Sequence, residues 1–488
     1  MLMVSVTAIG FSGAVAQAKV VKKPVRRSAP AKPTAAQRAA RAKLEAARAA
    51  EAAAAEKVAA RKQAAAFPDD TSTQSGVRTQ MRRIGAPTSS FCYAIEEGKI
   101  QGVNADKPVR VASVMKLMTT FWAVEALGPN YRYTTKIFVQ PATGKMHIAG
   151  SRDPFFDRDR LYLLISDLNK LGIKSASQIT ADKSFRIDFD ATEFQYNRTF
   201  AHTEAHSDAS MADDNIKDKL MLGFNSDGWW NARKERVRTV RSRNPDTGMQ
   251  QTLTFKTNST DVVDSNPLAG QPGVVQFEIR SAPLKVYLKQ MNILSINPVA
   301  DELFHSMGGE PGFRKFLQDK YGMGDAAVDV HTGSGLPIHD PRNDTSITCG
   351  NVVRMIRRMD LDLEKNYKMD LADVMMVAGV DTTAGATFSE GSRSLIVKTG
   401  TLTAPGSVAK NLAGVQETSA GEVYFGIFMQ DRAANSGNVR RVLSSMMSNF
   451  RAKRVERSGV GRFDSIDKEM MLKKVTPTPS ASVSVTKG

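Results

Sequence analysis

The chain has 488 residues, more than one hydrophobic core organises, so two or three domains are expected. Its net charge of +17 is uneven: residues 19–66 hold 13 Lys/Arg against 3 Glu, residues 451–488 hold 9 against 4 acids, and the rest carries about +2. Basic character confined to the two ends argues against a nucleic-acid-binding domain, and no apolar run is long enough for a transmembrane helix.

Residues 1–18 read as a cleaved export signal. The segment is apolar and ends on Ala16-Gln17-Ala18, a small-x-small cleavage pattern, although no Lys or Arg opens it. Export implies the periplasm. Residues 19–80 read as a basic Ala/Pro-rich linker or solvated helix, because Ala, Arg, Glu and Lys favour helix but supply no apolar face. Outside the cytoplasm, such a segment is suited to anionic wall polymers or lipid head groups. The two cysteines, Cys92 and Cys349, form no metal-binding spacing; one long-range disulfide and two buried thiols both fit.

"SSFCYAIEEGKIQGVNAD" reads as a β-hairpin about Glu97-Gly98-Lys99. Residues 113–127 show helical periodicity, ended by Gly128-Pro129. Residues 139–284 read as an inserted β-rich region: strand-like runs such as "TLTFKTNST" and "GVVQFEIR" surround one clear helix, "DRLYLLISDLNKLG". Helical periodicity returns in "PVADELFHSMGG", with Pro298 in the first turn. A strand "RSLIVKTGTL", a hairpin of "NLAGVQET" and "VYFGIFMQ", and a helix "GNVRRVLSSMMSNF" follow. A mixed α/β body at 81–138 and 285–455 is therefore interrupted by the insert, and residues 456–488 read as a disordered tail.

Ser113 and Lys116 stand three places apart, on one face of the first body helix. A serine hydroxyl becomes a nucleophile when a base takes its proton, and a lysine desolvated among Val111, Met115 and Leu117 can be that base. Ser-x-x-Lys is common by chance, and Ser465–Lys468 repeats it in the tail. Ser-x-Asn is equally cheap, at residues 242–244, 295–297 and 436–438. Lys-Thr-Gly is expected roughly 0.1 times in such a length, and it stands at Lys398-Thr399-Gly400 inside an expected strand. Only Ser113/Lys116, Ser295/Asn297 and Lys398/Thr399/Gly400 fit the order and context of the penicillin-binding signature: a helix start, a loop between helices, a strand.

Residues 85–450 resemble the low-molecular-mass class C penicillin-binding proteins, the D-alanyl-D-alanine carboxypeptidase/endopeptidases of the penicillin-binding protein 4 type. "NADKPVRVASVMKLMTTFWAVEALGPNYRYTT" is similar to their active-site segment, "GSRDPFF" to their Gly-x-x-Asp-Pro turn and "MNILSINPVADEL" to their Ser-x-Asn segment. "TGSGLP" and "VKTGTL…NLAG" resemble a later turn and the Lys-Thr-Gly strand. Thr332 replaces the usual Asp before Gly-Ser-Gly, and Ile293 stands where a basic residue is common. The resemblance implies a serine β-lactamase/DD-transpeptidase-like α/β fold with an antiparallel sheet flanked by helices. It implies acyl transfer through a covalent serine ester, with peptidoglycan stem peptides as substrates, β-lactams as acylating inhibitors, and neither cofactor nor metal. In that chemistry Ser113 attacks, Lys116 takes its proton, Ser295 passes a proton to the leaving amine, and Asn297 holds the substrate amide or Lys116. Lys398 supplies positive charge for the substrate carboxylate, Thr399 bonds it, and Gly400 lets substrate backbone lie beside the strand. The N–H groups of Ser113 and Thr401 form the oxyanion hole.

A β-lactamase needs rapid deacylation, for which no dedicated carboxylate base stands out, and a catalytically silent wall-binding protein would not need the full Ser/Lys/Ser/Asn/Lys set. His202 and His206 have a spacing open to a metal but lack a specified third ligand. His305 and His331 are expected to be structural, and Trp229-Trp230 to serve packing more than a glycan surface.

Overall fold

Apolar runs from both ends of the body build one six-stranded antiparallel sheet. The computed structural model describes residues 70–95, 99–187, 213–225, 230–243, 245–323, 328–337, 345–381, 394–404, 407–418, 421–449 and 473–475. The first elements are α1 (Asp70–Arg83), β1 (Ser90–Ile95), β2 (Gln101–Val103), β3 (Pro108–Arg110) and α2 (Met115–Leu127). The insert follows with β4 (Thr134–Gln140), β5 (Lys145–Ala149), α3 (Arg158–Lys170), β6 (Ser175–Ala176), β7 (Gln178–Asp182), α4 (Asp213–Phe224), α5 (Trp230–Arg243), β8 (Lys256–Thr257), β9 (Thr260–Val263) and β10 (Val275–Arg280). The body resumes with α6 (Leu284–Leu294), α7 (Asn297–Ser306), α8 (Gly309–Tyr321), β11 (Val328–Asp329), β12 (Ser346–Thr348) and α9 (Cys349–Tyr367). It closes with β13 (Met376–Val377), β14 (Leu395–Ala404), β15 (Ser407–Thr418), β16 (Gly421–Gln430) and α10 (Ser436–Asn449), and β17 (Lys473–Val475) is the last described element.

The body sheet runs β13-β14-β15-β16-β1-β2, so sequence-distant strands β1 and β16 are neighbours. One face packs on α1 and α10, where Val77, Met81, Val439, Val442 and Met446 are buried with Phe425 and Met429. The other meets the larger core, in which every residue of α2 from Met115 to Val124 is buried. A helix buried on all sides is a central helix. Trp122 fixes its position, its ring centroid 5.5 Å from Phe304 on α7 and 5.4 Å from Phe313 on α8. Cys92 on β1 and Cys349 at the start of α9 form a disulfide, with Cα atoms 6.0 Å apart. Gly426 leaves room for it: a Cβ there would lie 3.2 Å from the Cys349 sulfur.

Several sequence expectations change. The region called linker up to residue 80 includes α1, because Val77 and Met81, four places apart, bury one side of an otherwise polar helix. The insert runs from β4 to β10 and is mixed α/β, not β-rich. Helix α4 hides in charged sequence, but Ile216, Leu220 and Phe224 repeat every four residues and are buried. In "TLTFKTNST" only Lys256–Thr257 and the start of β9 are strand. The insert sheet runs β17-β10-β4-β5-β7-β9, with parallel pairs β5–β7 and β7–β9. Its outer strand β17 comes from the tail read as disordered, pairing Lys473 with Glu278 of β10. The hairpin turn residues 96–98 and the segment 1–69 lie outside the described residues, as do His202 and His206.

Candidate active site

The nucleophile turn is built before the helix begins. Ala112–Val114 form one 3-10 turn leading into α2, and Ala112 has φ 49°. A left-handed alanine costs about 1–3 kcal/mol and persists only where neighbours over-determine it. Here they do. The Val111 N–H donates to Thr345 O at 3.1 Å, and Asn411 of β15 donates its side-chain N–H to Arg110 O at 2.8 Å and Val111 O at 3.1 Å. Gly400 of β14 lies against the same turn, where a Cβ would sit 2.7 Å from Val111 O. The missing side chain makes room for the Ser113 turn.

Lys116 points into the cleft. Its Nζ donates to Ser113 Oγ at 2.9 Å, Asn297 Oδ1 at 2.6 Å and Ser334 O at 3.3 Å. The residue is fully buried, and that burial lowers its pKa to about 7, against the pull of the Asp301 carboxylate. A lysine with that proton affinity is half neutral near pH 7 and can accept the Ser113 proton.

Ser295 ends α6 in a left-handed conformation, φ 59°, and Asn297 opens α7, so the Ser-x-Asn element lies between helices as its motif requires. From β14, Lys398 Nζ donates to Ser295 Oγ at 3.0 Å and to Thr399 O at 2.9 Å. Burial, then the charge of Lys116, holds Lys398 well below the usual lysine range. Both effects favour the neutral form of the Lys398 amine. Thr399 is half-buried and Thr401 exposed, both on β14. Lys410 on β15 donates to the Thr401 hydroxyl at 2.9 Å. Thus the cleft unites Ser113, Lys116 and Asn297 in one hydrogen-bond cluster and joins Ser295 to Lys398 in a second.

Several supporting residues escape a motif search. Asn292 on α6 donates to Thr120 Oγ1 at 2.8 Å, and Thr120 in turn donates to Lys116 O at 2.7 Å, tying the two motif-bearing helices together. Asp301 stands one helical turn after Asn297 and accepts from Ser334 N at 2.7 Å. That i, i+4 spacing was its only sequence signal. Thr332 bonds within its own turn, accepting from Gly335 N at 3.1 Å and donating to Leu336 O at 2.8 Å. Ile293 is half-buried against the sheet core. Among the described residues no His/Cys/Asp/Glu group is arranged to hold a metal ion. His331 pairs with Asp329, Nε2 to Oδ1 at 3.1 Å.

A buried serine, a lysine of lowered basicity beside it, and a second Ser–Lys pair define a serine hydrolase that works through an acyl-enzyme. The chain matches the D-Ala-D-Ala carboxypeptidase 3 (S13) family over residues 92–217 and 230–453, and it belongs to that family. No curated protein matches it at a significant level. Among solved structures it is similar to the Bd3459 predatory endopeptidase of Bdellovibrio bacteriovorus in complex with immunity protein Bd3460. Identity is 26%, the TM-score is 0.69, and the match covers 79% of this chain and 99% of that one. Penicillin G-acylated Bd3459 matches with 26% identity and a TM-score of 0.65, over the same shares. The Bd0816 predatory endopeptidase of the same organism, also in complex with Bd3460, matches with 25% identity and a TM-score of 0.69, again over 79% and 99%.

Proposed function

We propose that the chain is an exported serine DD-peptidase that removes terminal D-Ala from peptidoglycan stem peptides, cleaves their cross-links, or does both. One observation carries the reading: the buried Lys116 amine, lowered to a pKa of about 7, lies 2.9 Å from Ser113 Oγ. The family and the penicillin-acylated peptidoglycan endopeptidase among the similar structures support it.

In this mechanism an extended peptide lies along β14. Strand β13 covers only Ile396 and Val397, so from Lys398 onward that edge bears no strand among the described residues. Lys116 takes the proton of Ser113 as Oγ attacks the carbonyl, and the N–H groups of Ser113 and Thr401 receive the developing oxyanion. Because Lys398 donates to Ser295 Oγ, the Ser295 hydroxyl proton is free to pass to the leaving amine, and the proton taken up by Lys116 makes good the loss at Ser295, leaving Lys116 neutral again for the deacylating water. The substrate carboxylate meets Lys398 and Thr399 and draws a proton onto the former. Water then releases the acyl group.

Export through residues 1–18 to the periplasm is supported by the Cys92–Cys349 disulfide, a bond that persists in oxidising compartments. The basic segment 19–66 would hold the enzyme to wall polymers or anionic membrane; deleting it should release the protein from sedimenting sacculi and membranes. Immunity-protein complexes of the similar endopeptidases make an immunity protein a further candidate partner. The main test is digestion of muropeptides followed by mass spectrometry. Wild type should release D-Ala or resolve cross-linked dimers, and Ser113→Ala should do neither. Fluorescent penicillin should label wild type alone. Labelling without any muropeptide cleavage would overturn the peptidase reading in favour of a binding protein.

A further inference from the structure

We propose that Asp301 is a positioning residue that sets the pH at which Lys116 becomes a base, acting through the Ser334 backbone and through its own charge. The inference rests on the acyl-enzyme reading above and deepens it.

The geometry starts with the turn Thr332–Gly335. It is wedged between two elements of the site. A Cβ on Gly333 would lie 2.2 Å from Ala300 O of α7, and one on Gly335 would lie 2.1 Å from Ala112 O, beside the nucleophile. Thr119 of α2 donates its hydroxyl to Gly333 O at 2.8 Å. Asp301 completes the clamp by accepting from Ser334 N at 2.7 Å. The same peptide segment then offers Ser334 O to Lys116 Nζ at 3.3 Å. One buried carboxylate therefore fixes the carbonyl that Lys116 faces, and it lies close enough to raise that amine's proton affinity.

The charge has a purpose. Burial alone pushes a lysine far down, and a base with too little proton affinity takes the serine proton poorly. An anion on α7 offsets part of that loss. The other charged group facing Lys116 is Lys398 on β14, which works in the opposite sense. The turn 332–335 brings no titratable side chain. Glu302, next to Asp301 on α7, is engaged elsewhere, by Arg152 at 2.7 Å and Arg186 at 3.5 Å. Asp301 is thus the anion that acts on this amine.

The test is the pH dependence of acylation by a fluorescent penicillin in the full chain. Asp301→Asn keeps an acceptor for Ser334 N and removes the charge. Without the anion Lys116 loses its proton more easily, so the acid limb should move down by about one pH unit. The plateau rate should fall about threefold, as expected for a weaker base. Asp301→Glu should return the limb toward wild type. Should Asp301→Asn fail to accumulate, Asp301→Ser, also neutral, must show the same downward movement. A limb that stays within about 0.2 pH units in a folded neutral variant, or moves upward, overturns the inference. If wild type itself takes no label, or Ser113→Ala still does, the acyl-enzyme reading has failed instead.

Discussion

Lys116 and Lys398 are both 0% exposed, and each is held by a serine hydroxyl: Ser113 at 2.9 Å and Ser295 at 3.0 Å. Burial favours the neutral amine in both. Activity that needs neutral Lys116 should therefore rise with pH through about 7, which an acylation-rate profile would show as a single acid limb. Lys116→Met, similar in bulk, should lower that rate at least about a hundredfold at every pH. Lys398 makes a different demand. A carboxylate stabilises its charged form, so binding a carboxylate-bearing peptide should be accompanied by proton uptake. Calorimetry in buffers of different ionisation enthalpy would read this, and no buffer dependence would contradict it. Motif residues such as Ser113, Lys116 and Lys398 were legible because their chemistry demands fixed residue types in a fixed order. Asp301 and Asn411 were not, because they act on backbone groups contributed by distant segments.

Elements were legible where one face is apolar at a regular interval. Helices α7 and α10 declare themselves in this way, and strands β14 and β16 by continuous apolar runs buried on both faces. Helices α1 and α4 bury only two and three large apolar residues respectively, and that burial depends on a surface that the local sequence does not contain. The same holds for the disulfide, whose cysteines are 257 residues apart and meet because β1 pairs with β16 beneath α9. Replacing Cys92 and Cys349 together by Ala should lower unfolding stability by about 2–5 kcal/mol in urea titrations. Retained stability would mean that core packing alone holds β1 to α9. Gly335 is a sharper case, with φ 76° and a neighbouring carbonyl where its Cβ would stand. Gly335→Ala should reduce penicillin acylation more than it reduces stability, because the turn it distorts carries the Ser334 carbonyl facing Lys116.

Across the whole molecule, body and insert meet at α7. Arg152 and Arg186 come from the insert side and share Glu302, which is 4% exposed. Removing the shared anion leaves two guanidinium groups facing one buried gap. Glu302→Ala should cost about 3 kcal/mol of stability, and it should slow acylation as α7, which carries Asn297, loosens; equal melting temperatures for the two proteins would remove Glu302 from this role. The connection to the insert is more economical still. The chain departs along β4 and returns along β10, which pair side by side, and their bases are stitched by Ser281 N to Tyr133 O and Tyr133 N to Ser281 Oγ, both at 2.9 Å, and by Leu284 N to Tyr131 O at 2.8 Å. To the catalytic half the entire excursion from 134 to 280 is a side branch on a closed stem. Its interior can lengthen, shrink or diverge without changing the distance that the flanking halves must bridge.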